Sequence, residues 1–329
     1  MGTGGLSRER MGRLRKSVTG YVERGEVPGI VTLVSRHGEV HVDAVGNKSL
    51  AGPDPVRRDT IFRIASMSKP ITAAATMILA EEGKLRLSDA VEKWLPELAD
   101  RKVLSRIDAP LDETVPAHRP ITVRDLLTFT MGFGLLLTPT GEYPILKAAN
   151  ELQIGMVPSY RQAKPDPDEW IRRLASLPLM YQPGERWLYG IGSDVLSVLI
   201  ARVCGQPLET FLREQLFEPE GRHGSQRLLS RLSVEAMTTD QLAPQHKAVS
   251  SPPLPGFFET YGWGFGVSVV TRRDDLASVP GRYGWDGGLG TSWFSDPKED
   301  LVGIVLTQRL FPLDLYRDFR TLAYQAIDD

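Results

Sequence analysis

Strand-like segments lie at the two ends of this sequence and helical periodicities fill its middle, an arrangement that restricts the fold more than any other feature. Residues 10–25 carry the apolar spacing of an amphipathic helix, and 31–35 with 40–45 read as a hairpin turning at His37-Gly38. From Ser66 to about Pro219 helical patterns prevail, broken by proline-rich loops at 108–120 and 162–167. Strand patterns return at 264–270, 291–294 and 301–307, and 313–327 closes the chain as a helix. Half-buried strands need partners, so the two ends are expected to share one sheet. The fold class expected is α+β: an antiparallel sheet formed by the two chain ends, flanked by helices, with an inserted, mostly helical domain. The corresponding division is 1–65 with 262–329 for the sheet domain and 66–261 for the helical domain.

A chain of 329 residues with 41% hydrophobic content can bury a large core. Its formal net charge of -2 leaves no basic stripe for phosphates, which argues against nucleic acid as a partner and favours a small molecule. Cys204 is the only cysteine, so an internal disulfide and a thiolate metal cluster are excluded, and its apolar neighbours suggest a buried structural thiol. No His-Glu-x-x-His or other clustered ligand spacing occurs, and neither a metal nor a cofactor is expected. The N-terminus has arginines but no secretory core, and no segment reaches membrane-spanning length. The expectation is a cytoplasmic protein without a membrane partner, a removed leader and the oligomeric state remaining open.

The segment Ile61-Phe-Arg-Ile-Ala-Ser-Met-Ser-Lys-Pro70 places a hydroxyl and an amine three residues apart where a helix begins. Residues so spaced share a helix face, and an amine kept neutral by desolvation can take a proton from an adjacent hydroxyl. Pro70 fits a first turn, where amides lack intrahelical acceptors, while Ile71, Ala74, Ala75, Ile78 and Leu79 continue the apolar spacing up to a stop at Gly83. Ser66 and Lys69 are therefore candidate nucleophile and base. A second copy of the spacing, Ser295 to Lys298, sits in a polar Asp-Pro-Lys-Glu-Asp run and reads as a β-turn.

Two further segments look chemical. Tyr181-Gln-Pro-Gly-Glu-Arg-Trp-Leu-Tyr189-Gly190 leads into an apolar helix at 195–204 with Ser193 as its cap. Tyr189 is placed either to relay a proton or to close the helix end. Trp285-Asp286-Gly287-Gly288-Leu289-Gly290-Thr291 reads either as a glycine-rich turn or as a strand edge offering an amide that pairs with that of Ser66 around an oxyanion.

In this order the three segments resemble those of the serine β-lactamase and penicillin-binding-protein superfamily, specifically the class C β-lactamase-like hydrolases and family VIII carboxylesterases. The resemblance runs from about Val31 to the C-terminus and includes Ile121-Thr-Val-Arg-Asp-Leu-Leu-Thr. It implies a β-lactamase/transpeptidase-like fold, with Ser66 the acylated nucleophile, Lys69 its base and Tyr189 a proton relay. Ser66 and Gly288 would supply the oxyanion amides, and Trp285-Asp286-Gly287 would stand for the third motif, which is Lys-Thr-Gly in β-lactamases and often Trp-Gly-Gly in the esterases. The activity implied is cleavage of small esters, a carboxylesterase before a lactamase. Three departures bear on it. Ile191 occupies the place of the second motif's asparagine, Trp285 that of a carboxylate-docking lysine, and Asp286 that of a small residue, where it would repel anions or point to solvent. The first two favour a neutral ester.

A Phe-Glu-Pro element and a Gly-Arg-His-Gly element that are widely separated in the resembled proteins are fused here at Glu220-Gly221, reading either as a deletion or as a chain lacking residues there. The alternatives are a β-lactamase, a D-Ala-D-Ala carboxypeptidase or D-amino-acid amidase, and a non-catalytic penicillin-binding-type or sensor module. A Ser-His-Asp hydrolase would need one of His37, His41, His118, His223 or His246, but no Gly-x-Ser-x-Gly elbow occurs. Apolar stretches at 131–137, 143–146 and 256–258 line either a substrate pocket or a domain interface.

Overall fold

The computed structural model describes residues 3–136, 143–155, 165–217, 227–252 and 254–328. It is α+β and divides into two compact units: Met1–Pro70 with Glu259–Gly262 and Val267–Asp329, and Ile71–Phe258 with Trp263–Gly266. The fused element, at 218–226, lies outside the described residues, as do 162–164 and Leu137.

The first unit is built on a seven-stranded sheet in the order β2-β1-β9-β8-β7-β6-β5. Its strands are β1 (Gly29–Arg36), β2 (Glu39–Gly46), β5 (Tyr261–Trp263), β6 (Ser268–Val270), β7 (Tyr283–Gly287), β8 (Thr291–Asp296) and β9 (Leu301–Leu306). The antiparallel pairing of β1 with β9, Val31 opposite Leu306, joins the two ends of the chain as expected. The β1–β2 hairpin turns at His37 (φ 49°) and Gly38 (φ 79°), the pair of positive φ values that matches strand twist in a two-residue connection. Alternate residues of each strand share a face. Ile30, Val34, Phe294, Leu301 and Val305 accordingly form one core with Leu14, Val18 and Tyr21 of helix α1 (Arg8–Glu23) and Leu315, Tyr316, Phe319 and Ala323 of α11 (Leu313–Gln325). Strand β7 extends the Trp285-Asp286-Gly287 segment, which sequence periodicity did not mark as a full strand.

The second unit is mainly helical. It contains α3 (Val123–Leu127), α4 (Pro144–Glu151), α5 (Pro167–Ala175), α6 (Ile191–Cys204), α7 (Leu208–Leu212), α8 (Arg231–Met237) and α9 (Pro244–Val249), while α2 (Ser68–Glu81) and α10 (Phe257–Thr260) cross the unit boundaries. Leu79, Leu126, Leu196, Leu199 and Phe211 belong to its continuous apolar core. Helix α2 ends at Gly83, whose φ of 70° lets Lys84 N–H return to the Leu79 carbonyl. A two-stranded ribbon, β3 (Lys102–Leu104) with β4 (Thr114–Pro116), occupies part of what reads from the sequence as loop, Pro116 standing at the strand end where its missing N–H costs nothing. Among the described residues no single helix is long and apolar enough to cross a membrane.

Three boundaries differ from expectation; at the second crossing between the units, 259–261 fall with the sheet unit and 263–266 with the helical unit. Residues 66–70 belong with the sheet unit, because the 3-10 turn Ala65–Met67 packs on β7 and β8. Helix α6 starts at Ile191 after Gly190, whose φ of 99° reverses the chain; Ser193 lies inside the helix and is not its cap.

The Ile121-Thr-Val-Arg-Asp-Leu-Leu-Thr segment closes around one carboxylate. Asp125 accepts from Thr122 N (2.8 Å), Thr122 Oγ1 (2.7 Å), Thr130 Oγ1 (3.2 Å) and both terminal nitrogens of Arg119 (2.6 and 2.8 Å) while 5% exposed. This is a capping box fused to a bidentate ion pair; Arg119 is 42% exposed and can be solvated, so the chief losers on truncation are the Thr122 N–H and the buried Thr130 hydroxyl. Asp125→Ala is expected to lower unfolding free energy by about 1–3 kcal/mol, read as a fall in the urea midpoint.

Candidate active site

The Ser66 turn is set by backbone geometry before any side chain acts. Ala65 has φ 47°, a left-handed conformation rare for a residue with a Cβ, and it directly precedes Ser66 in the Ala65–Met67 turn. Helix α2 follows at once, and Ser68 Oγ closes the turn by donating to the Ala65 carbonyl at 2.7 Å. Across this junction Lys69 Nζ donates to Ser66 Oγ at 3.2 Å, both side chains half-buried. The structure thus brings together the hydroxyl and the amine that the sequence placed three positions apart.

The third segment holds the turn from the sheet side. Thr291 Oγ1 donates to the Ile64 carbonyl at 3.0 Å, and that carbonyl also accepts from Met67 N–H at 3.1 Å. Gly287 makes the approach possible: a methyl group there would fall 2.3 Å from Ile64 O and 2.2 Å from Thr291 Oγ1. Strand pairing of β7 with β8 ends at Gly287 opposite Thr291, so the N–H of Gly288, one residue on, is not spent on that ladder.

The pleat of β7 sends Tyr283, Trp285 and Gly287 to one face and Asp286 to the other. Asp286 neither faces the turn nor points to open solvent. Its carboxylate accepts from Ser292 Oγ at 2.5 Å and from Arg320 Nη1 of α11 at 3.1 Å, which neutralises it locally. Tyr316, also on α11, donates to the Gly287 carbonyl at 3.0 Å. Burial holds its phenol well above the ordinary range, so it remains a donor at any working pH. Thr291, Tyr316 and Arg320 are positioning residues that reasoning from the sequence did not single out; a turn threonine and two residues on a helix leave no signal until the pairing is known.

Tyr189 belongs to the helical unit, one residue before Gly190 at the start of α6. Its backbone bridges Leu135, whose N–H reaches the Tyr189 carbonyl at 2.8 Å. Its ring meets Phe129 at 5.8 Å edge-on, Trp187 at 5.7 Å and Trp263 at 6.2 Å. Phe129, fully buried, is itself held at φ 61° while its carbonyl accepts from Leu188 N–H at 2.8 Å. The phenol is therefore carried on a rigid aromatic support. Ile191, in the place of the second motif's asparagine, is 2% exposed and belongs to the apolar core of this unit. Among the described residues no cluster of three or more His, Cys, Asp or Glu side chains is placed to hold a metal ion.

Comparison with known proteins agrees with this construction. The profile of the beta-lactamase family matches residues 14–228 and 223–326, and the chain belongs to that family, whose members are serine hydrolases and acyltransferases. Protein Rv1367c of Mycobacterium tuberculosis is 32% identical over 368 aligned positions, covering 89% of this chain and 88% of that protein. Esterase EstB of Burkholderia gladioli is 36% identical over 196 positions, covering 59% of this chain and 45% of EstB. The solved structure of EstCE1, described as a hydrolase with promiscuous acyltransferase activity, superposes with a TM-score of 0.78 at 21% identity, covering 96% of this chain and 98% of EstCE1; at that identity the likeness speaks for the fold. The alignment with Rv1367c is longer than the 329-residue chain itself, so that protein carries residues with no counterpart here. The two stretches that match the family overlap at 223–228, which includes the end of the fused element.

Because the Gly287 α-carbon lies against the Ile64 carbonyl, Gly287→Ala must push the Ser66 turn off β7. The variant is expected to lose about 1–3 kcal/mol of stability, measured by urea denaturation, and Gly288→Ala, whose nearest neighbours are atoms of the exposed Phe311 ring, is expected to lose less.

Proposed function

We propose that this chain hydrolyses small neutral esters through an acyl-enzyme on Ser66. The observation that carries the reading is the 3.2 Å hydrogen bond from Lys69 Nζ to Ser66 Oγ on a turn fixed against β7. In the first half-reaction the Ser66 hydroxyl proton passes to Lys69 as Oγ bonds to the ester carbonyl carbon. The backbone amides of Ser66 and Gly288 receive the negative oxygen, a contribution that costs about a hundredfold or more in rate when one donor is lost. The carbon–oxygen bond to the alcohol then breaks, and the proton held by the Lys69 ammonium returns to the departing alcohol, Tyr189 being the relay that the family resemblance implies. In the second half-reaction water gives a proton to the same amine as its oxygen adds to the acyl carbon; the bond from that carbon to Ser66 Oγ then breaks, the Lys69 ammonium returns the proton to Oγ, and the acid leaves.

Ester specificity is supported by what stands in the second and third motifs. Trp285 gives no cation to dock a substrate carboxylate, and Ile191 is committed to the core where an amide would otherwise orient the substrate. Among the relatives, EstB is named an esterase, which agrees with a carboxylesterase. The ester is a small molecule, and no cofactor enters any step.

Turnover of p-nitrophenyl acetate and of a chromogenic cephalosporin measures both halves of the proposal. The wild type is expected to release p-nitrophenol with saturation kinetics and to leave the cephalosporin essentially intact. Ser66→Ala is expected to lower kcat by about a thousandfold or more. Equal rates for wild type and Ser66→Ala would dismiss the nucleophile, and cephalosporin turnover exceeding ester turnover would reverse the substrate preference.

A further inference from the structure

The loop between β9 and α11 places three large apolar side chains in the open: Leu310, Phe311 and Leu313 are 63%, 67% and 47% exposed. This loop is tied to the glycine turn that follows β7. Thr307 N–H donates to the Gly290 carbonyl at 2.7 Å, and Phe311 N–H donates to the Gly288 carbonyl at 3.1 Å. Gly290, at φ 105°, permits the approach, since a side chain there would meet Arg309 and Thr307 backbone atoms at 2.8 Å.

Phe311 is fixed at φ 47°, a conformation that bulky residues adopt only when the surrounding structure imposes it. The result is a ring lying over Gly288, where a methyl group would fall 2.9 Å from Cζ and 3.0 Å from Cε1. One edge of the ring covers the residue whose amide is assigned to the oxyanion, and the rest of it is open. Packing alone does not account for this: the ring fills no core, and a glycine or asparagine would take the same φ with less strain.

We propose that Phe311 is a specificity-determining residue that contacts the substrate, its exposed face receiving the apolar part of an ester and Leu310 and Leu313 extending that surface. This rests on the reading of Ser66 as an ester-cleaving nucleophile and adds the substrate class: esters with an extended apolar chain on the acyl or the alcohol side. A chain laid on the ring lies beside the Gly288 amide, so the contact is made while the carbonyl oxygen is held and contributes to kcat/KM.

The test compares wild type with Phe311→Asn, Phe311→Gly and Phe311→Leu. The first two suit a left-handed backbone and remove the ring; the third restores an apolar surface. Two substrate series are measured, p-nitrophenyl acetate against hexanoate for the acyl side and methyl against hexyl acetate for the alcohol side. The long-to-short ratio of kcat/KM is expected to fall about tenfold in Phe311→Asn and Phe311→Gly in at least one series, and to recover in Phe311→Leu. A fall in the acyl series places the acyl chain on the ring, and a fall in the alcohol series places the leaving group there. Unchanged ratios in both series, with Ser66 still fully labelled by a fluorophosphonate, would overturn the assignment of Phe311 alone. Failure of the wild type to label at Ser66 would overturn the hydrolase reading itself, and this proposal with it.

Discussion

One steric constraint organises the sheet unit of this protein: there is no room for a side chain between Gly287 and the Ile64 carbonyl. The bare α-carbon lets the end of β7 lie against the turn, and Thr291 locks the contact by donating to the same carbonyl. Ser66 lies two residues later, in a turn that already carries a left-handed Ala65, so the direction of its Cα–Cβ bond is fixed by the backbone. Strain of this kind costs about 1–3 kcal/mol per residue and persists only where neighbouring structure over-determines it. Here the over-determination comes from a strand, a threonine and the start of a helix acting on the same few atoms.

The rear of the strand is secured as closely as its front. Tyr316 fixes the Gly287 carbonyl, and Arg320 with Ser292 fixes Asp286, so α11 controls the strand that controls the turn. Asp286 is informative because its chemistry, read alone, suggests repulsion of anions. The pleat decides otherwise by turning it to the helix side, where its charge is matched. The other face carries Tyr283, Trp285 and Gly287, with no charged side chain from this strand.

Much of this was legible in the chain itself. The terminal strands, the hairpin at His37-Gly38, the helix after Ser66 and the closing helix follow from periodicity and turn chemistry, and the Ser66–Lys69 pairing follows from helical spacing. Other features were not. The β3–β4 ribbon is too short for alternation to register, and Ser193 looked like a cap because Gly190, which actually turns the chain, carries no side-chain signal. Residues 66–70 read with the helical segment because the pattern reports the helix, whereas they cluster with the sheet unit because the turn packs on its strands. Phe311 was invisible for a similar reason: a lone aromatic before Pro312 has no period, and its importance comes from hydrogen bonds to a glycine turn 23 residues earlier in the chain.

The central claim is that an amine on the first turn of α2 activates the hydroxyl one turn before it. The most direct measurement is peptide mapping of acid-quenched enzyme after brief mixing with excess p-nitrophenyl acetate, carried out on wild type and on Lys69→Met. One acetyl group on Ser66 in the wild type, and none in Lys69→Met under the same conditions, is the predicted result. Acetyl on a different residue, or equal acetylation of Ser66 in both proteins, would contradict it.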